Sequence, residues 1–254
     1  MKWAVEVQCT TLDRRNLGDL LAGLGFSLVD GVQFPAFTSP ELDQCNSAAE
    51  VFEVGKKVRD AFRGPAQIDP QFTLGSVEDY SSTPPRRHAF LEVQPAVHTM
   101  TMGAATLTVG PPAGLLPEEL ETWRRDREEQ EYQSRLDAQR KRLEPAYLEA
   151  RAVKVLDYLA TVAPRAEVLY KIYELIEEHP DYRTAFHAKF GIPANEFRRF
   201  KDTVHNPAVS GDWARHAYLD TPKTPNPMSK SEAESFVRTL ADRWLAHIRT
   251  GLPP

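Results

Sequence analysis

Arginine and histidine are the side chains here whose spacing carries chemistry. Between residues 198 and 216 stand Arg198, Arg199, His205, Asn206, Ser210, Asp212, Arg215 and His216. Two imidazoles supply a general acid and a general base near neutral pH, and a guanidinium holds phosphate through paired hydrogen bonds. Convergence of Arg199, His205, Asn206, Arg215 and His216 would make a site for a phosphate or a nucleobase. Arg199, His205 and His216 are the catalytic candidates; Arg198, Asn206, Ser210, Asp212 and Arg215 are the binding candidates. The bland alternative is local: Ser210 and Asp212 cap a short helix, while His205 and Asn206 satisfy a helix C-terminus. A hydrolase built from Ser210, His216 and Asp212 is weaker, since Ser210-Gly211-Asp212 lacks the strand–turn–helix setting of a nucleophile elbow.

Other chemistry has little foothold. Cys9 and Cys45 are the only cysteines, too few for a disulfide framework or a cysteine-rich zinc site. The seven histidines, at 88, 98, 179, 187, 205, 216 and 247, do not fall at metal-ligand spacing. There is no Walker or Rossmann glycine loop and no His-Glu-x-x-His. The expectation is a chain with no metal and no cofactor. Lys plus Arg number 31 against 36 Asp plus Glu, a net charge of -5, so any nucleic-acid contact must be a local face. No apolar run approaches a membrane span, and the first residues lack a signal-peptide core, which makes the cytoplasm the default compartment.

The elements that would position these residues read as α+β. Trp3, Val5, Val7 and Cys9 alternate with Lys2, Glu6, Gln8 and Thr10, the period of a half-buried strand with its polar face outward. Leu17, Leu20, Leu21 and Leu24 then recur at helical spacing, with Asp13 as N-cap and Gly25 past the end. Residues 26–34 read as a second strand interrupted at Asp30-Gly31. Ser39 and Pro40 open a helix expected to run to Phe62 and to bury Cys45, Ala48, Ala49, Phe52 and Val58. Strands are expected at 72–74, 90–93 and 97–109, with 81–88 a polar loop that forms no regular structure. Residues 1–112 would make a sheet-plus-helices domain, closed by Gly110-Pro111-Pro112.

Residues 115–144 change character. From Glu118 to Glu144, 16 of 27 residues are charged and none is Gly or Pro, the composition of a solvated helical strut. A dimerisation helix or an arginine-bearing RNA contact is the sharper reading of the same stretch. Residues 145–254 read as an all-α bundle. Leu169, Ile172, Tyr173 and Ile176 form one stripe. Ala233, Phe236, Val237, Leu240, Ala241, Trp244, Leu245 and Ile248 form another, preceded by a Ser229–Glu232 capping box.

A helical domain with Arg and His at polar helix ends resembles the HEPN superfamily of bacterial toxin and antiviral systems, whose signature is Arg, four to six residues, then His. Arg198 and Arg199 precede His205 with six and five residues between, and Arg198, seven positions before His205, shares its helix face two turns away. The Arg215-His216 pair resembles the polar dipeptide that can begin such a motif, although no His follows it at the required distance. The resemblance covers residues 145–250 at most. It implies a helical module of a stress or antiviral-defence protein that binds or cuts RNA, as a metal-independent ribonuclease, with a homodimer or a protein as partner. The alternative class is a non-enzymatic two-domain adaptor or sensor that binds a protein or a small ligand.

Overall fold

The computed structural model describes residues 1–8, 13–63, 72–90, 111, 114, 116–180, 185–217 and 226–251. The fold is α+β. The chain divides into two compact units: residues 1–55 with 72–139, and residues 56–71 with 140–254. The division falls inside two helices, between residues 55 and 56 and between residues 139 and 140, the second within the stretch expected to be a strut.

The first unit is built on a five-stranded antiparallel sheet. Its strands are β1 (Trp3–Gln8), β2 (Ser27–Asp30), β3 (Pro35–Thr38), β4 (Thr73–Asp79) and β5 (Arg86–His88), in the order β2-β3-β1-β4-β5. Val5 of the central strand stands opposite Phe37 and Val77, and all three are fully buried. Helix α1 (Arg14–Gly23) adds Leu17, Leu20 and Leu21 to the core, and the Asp13 carboxylate caps it by accepting from the Asn16 N–H.

Four expectations fail here, each for a physical reason. Residues 27–38 form a hairpin rather than one interrupted strand. Asp30-Gly31 reverses the chain, and the Gly31 N–H closes the turn on the Phe34 carbonyl. The helix from Pro40 is two helices, α2 (Pro40–Asp43) and α3 (Ala48–Arg63). Cys45 lies in the break between them, and Ala49 is exposed. Residues 86–88, expected to be irregular, pair with β4 as an edge strand.

Glu6 does not face solvent. Residues 3–7 of β1 are all buried, and this carboxylate is fully buried between the Arg87 guanidinium, at 3.0 and 2.7 Å, and the Ser76 N–H, at 3.0 Å. Burial alone would raise its pKa, but these donors hold it below the ordinary carboxylate value. Glu78, equally buried, accepts from the Val32 N–H and the Tyr80 hydroxyl. The expected strands at 90–93 and 97–109 lie almost wholly outside the described residues.

Helix α4 (Pro117–Leu148) is not a bare strut. Within the first unit Tyr132 and Leu136 are buried, Arg15 pairs with Glu129, and Asn16 donates to Gln139. The helix also runs through Pro145, the residue expected to begin the separate helical bundle.

The second unit is helical. Its further elements are α5 (Ala150–Leu159), α6 (Ala166–Glu177), α7 (Phe186–Lys189), α8 (Ala194–His205), α9 (Pro207–Ser210), a 3-10 turn (Gly211–Trp213) and α10 (Lys230–Thr250). The α6 stripe is buried as its spacing predicts, and Tyr173 packs against Phe186, Phe197 and Phe200. On α10, Ala233, Val237, Leu240, Ala241, Trp244 and Leu245 are buried behind a complete Ser229–Glu232 capping box, and Gly251 closes the helix in the left-handed region at φ 67°. Phe236 and Ile248, at the margins of the stripe, are half-buried. Trp244 has no exposed surface. Trp244→Ala should therefore cost about 3–5 kcal/mol, as large-to-small changes in a packed core do. Calorimetric or denaturant unfolding measures it, and a loss below about 1 kcal/mol would place the ring outside the core.

Candidate functional site

Helix α8 carries the apolar residues Phe200 and Val204 inward, and at its last turn Thr203 and His205 are buried with them. The Asn206 side chain then does two jobs. Its Oδ1 accepts from the Ala208 N–H at 3.0 Å, capping α9, and its Nδ2 donates to Asp202 at 3.3 Å. Pro207 takes the first helical position. At Gly211 (φ 61°) the chain turns through a conformation that favours glycine. It returns so that the Arg215 N–H reaches the Val204 carbonyl at 2.7 Å. That bond brings the dipeptide Arg215-His216 back over the end of α8.

There the His216 ring stacks on His205, centroids 5.0 Å apart at 20°, and the edge of Tyr170 meets His205 at 4.2 Å and 72°. The Arg215 guanidinium lies over the other aromatic, 4.5 Å from the Tyr170 ring centre, and is 3.6 Å from the Glu174 carboxylate. His205 is 7% exposed, yet among the described residues neither of its ring nitrogens has a hydrogen-bond partner. Burial, together with the neighbouring His216, Arg215 and Lys201, pushes its pKa from the ordinary 6.5 down to about 4. His205 is a neutral imidazole at neutral pH. His216, Arg215 and Lys201 are exposed around it, and Arg198 is exposed two turns earlier on α8.

The remaining candidates do other things. Arg199 points away from His205: its Nε donates to the Asn226 carbonyl at 2.7 Å and its Nη2 is 3.5 Å from Glu232. It lines a separate cleft of about 340 Å³ whose walls include Phe190, Phe236 and Arg243. The expected convergence of Arg199 with the two histidines is therefore corrected, because positions six and seven residues before His205 lie on different faces of one helix. The Ser210 hydroxyl donates to the Thr203 carbonyl at 2.7 Å, so it is no nucleophile paired with His216. Asp212 does not cap through its side chain, and its carbonyl instead accepts from Arg165 at 2.8 Å. The indole of Trp213 donates to the Pro164 carbonyl, fixing the 3-10 turn against the loop before α6.

Two members of the cluster escaped the sequence reading, Tyr170 and Glu174. Both lie on the flank of the α6 stripe, four residues apart on one helix face, which is the one signal that pairs them. Among the described residues no group of three or more His, Cys, Asp or Glu is placed to hold a metal ion. No described helix is long and apolar enough to cross a membrane. No protein-family model, curated protein or solved structure matches the chain.

The depressed His205 pKa has a thermodynamic consequence. Between pH 6.5 and about 4 the unfolded chain takes up a proton that the folded chain refuses, so stability falls as pH falls through that window. Unfolding midpoints across this range should drop less in His205→Phe, which keeps a ring and has nothing to titrate. Equal pH slopes in the variant and the wild type would show that His205 is protonated in the folded state.

Proposed function

We propose that the helical unit is a HEPN-like module of a bacterial stress or antiviral-defence protein that binds RNA through the cluster of Tyr170, His205, Arg215 and His216. One observation carries the reading: an exposed histidine is stacked on a buried imidazole whose nitrogens have no partner among the described residues, and an exposed arginine lies beside the pair over Tyr170. Unsatisfied buried polar groups are rare in native proteins, and a functional role is one of the few reasons to keep them. Within the cluster, His205 serves as a neutral hydrogen-bonding group. His216 is the exposed imidazole and the candidate for proton transfer in any cleavage. Arg215, oriented by Tyr170 and Glu174, supplies the phosphate contact, with Arg198 and Lys201 as outlying cations.

The runner-up, a non-enzymatic adaptor that binds a protein or small ligand, rests on its own observation. Asn206 and Ser210 are engaged in local bonds that build the end of α8, as structural caps would be, and Arg199 is held elsewhere by the Asn226 carbonyl and Glu232.

Salt separates the two. Three phosphate contacts by Arg198, Lys201 and Arg215 release enough counterion that affinity for single-stranded RNA should fall roughly twentyfold over a fourfold rise in salt. Arg215→Ala should weaken binding and flatten that dependence by about one contact's share. Lys154→Ala, an exposed change on α5, should leave both unchanged. Wild-type protein that binds no RNA at low salt would remove the RNA reading and leave the adaptor.

A further inference from the structure

The cleft that Arg199 lines shares no lining residue with the histidine cluster, so what it binds does not depend on the RNA reading. It runs between α8 and α10, which pack antiparallel. The Thr203 hydroxyl donates to the Met228 carbonyl at 2.8 Å, Arg199 is 3.5 Å from Glu232, and Phe200 meets Phe236 at 5.0 Å. At the far end the Arg243 guanidinium stands 5.9 Å from the Phe190 ring centre. The floor is apolar: Phe190, Met228 and Leu240 are buried, and Phe236 is half-buried. A volume of about 340 Å³ is at the small end of ligand pockets, which run roughly 300–1,000 Å³.

Four charged side chains line the cleft, and only two are spent. Arg199 and Glu232 face each other, with Arg199 also on the Asn226 carbonyl and Glu232 on the Ser229 N–H at 2.6 Å. Glu196, half-buried on α8, and Arg243, exposed on α10, have no ion-pair or hydrogen-bond partner among the described residues. The Ser235 and Thr239 hydroxyls, two turns and one turn before Arg243, have none either, so α10 presents three open polar groups in one column. The two open charges are opposite in sign. A plain anion would meet Glu196 and a plain cation would meet Arg243, whereas a zwitterion with an apolar body satisfies both and covers the floor. Spacing sets its length. Glu196 is one turn along α8 from the Arg199–Glu232 pair and Arg243 three turns along α10 from it, so their levels differ by about 12 Å. A single amino acid is too short for that gap. Three extended residues span about 10 Å, and the long Glu and Arg side chains reach the rest.

We propose that this cleft binds a short apolar peptide with both ends free, its ammonium on Glu196, its carboxylate on Arg243 and its side chains on Phe190, Phe236 and Leu240. Ser235 and Thr239 meet the peptide backbone.

The test is calorimetric titration of the full chain, at neutral pH and low salt, with trileucine, N-acetyl-trileucine and trileucine amide. Wild-type protein should bind trileucine saturably, and blocking either end should weaken it about tenfold, the size of one charged hydrogen bond. Glu196→Gln should lose about tenfold for trileucine and bind the acetylated peptide no worse than the free one. Arg243→Gln should lose as much and be indifferent to the amide. Neither residue is fully buried, so both variants should fold. No saturation by about 10 mM trileucine, tenfold above a millimolar Kd, would overturn the proposal. Blocked peptides that bind the wild type as well as the free one does would overturn it too. So would variants that bind trileucine as the wild type does.

Discussion

Helix α8 ends with carbonyls that its own turns cannot satisfy, and the way the chain satisfies them determines everything at the site. The Arg215 N–H takes the Val204 carbonyl, the Ser210 hydroxyl takes the Thr203 carbonyl, and the Asn206 N–H takes the Asp202 carbonyl. Three groups from the following ten residues thus return to one helix terminus. The detour through α9, Gly211 and the 3-10 turn is the path that lets them do so. Its by-product is the placement of His216 on His205 and of Arg215 on Tyr170. The bland and the functional accounts of this segment are therefore not rivals at every residue. Asn206 and Ser210 build the terminus, and the terminus presents the others.

The same closure explains the charge state of the pair. Folding the chain back buries His205 beneath His216 and beside two cations, so the proton is expelled from the inner ring. Arg199, one residue and so about 100° around α8 from Arg198, turns to a different side of the helix and joins Asn226 and Glu232. One helix thus carries two distinct polar faces, a basic-aromatic one at its end and a mixed-charge cleft along its flank. In the first unit a different solution to buried charge operates. Glu6 is kept ionised in the central strand by a two-pronged arginine from the edge strand and a backbone N–H.

Local signals were legible in the sequence wherever a single residue type does the work. The Asp13 and Ser39 caps, the Ser229–Glu232 box and the stripes of α6 and α10 all follow from spacing, because helix periodicity and capping depend on neighbours three and four residues away. Features that depend on distant partners were not legible. The outward Glu6 of an alternating strand becomes buried only because Arg87, 81 residues later, reaches it. Residues 86–88 look like loop until an edge is available to pair with. The chemistry-bearing segment was visible as a concentration of Arg and His, and its members Arg215, His216 and His205 do meet. Tyr170 and Glu174 were not visible, since nothing in α6 marks which flank faces the end of α8. Arg199 was misread because sequence spacing counts residues, whereas a helix distributes them by angle.

The account's central claim is that His205 and His216 together are the ligand-contacting histidines of this chain. Imidazole NMR signals, assigned by single His→Gln substitutions and followed while single-stranded RNA is added, test it most directly. The account predicts that the His205 and His216 resonances shift together, with His205 remaining neutral at neutral pH, while those of His179, His187 and His247 stay in place. Shifts confined to those three, with His205 and His216 unmoved at saturating RNA, would contradict it.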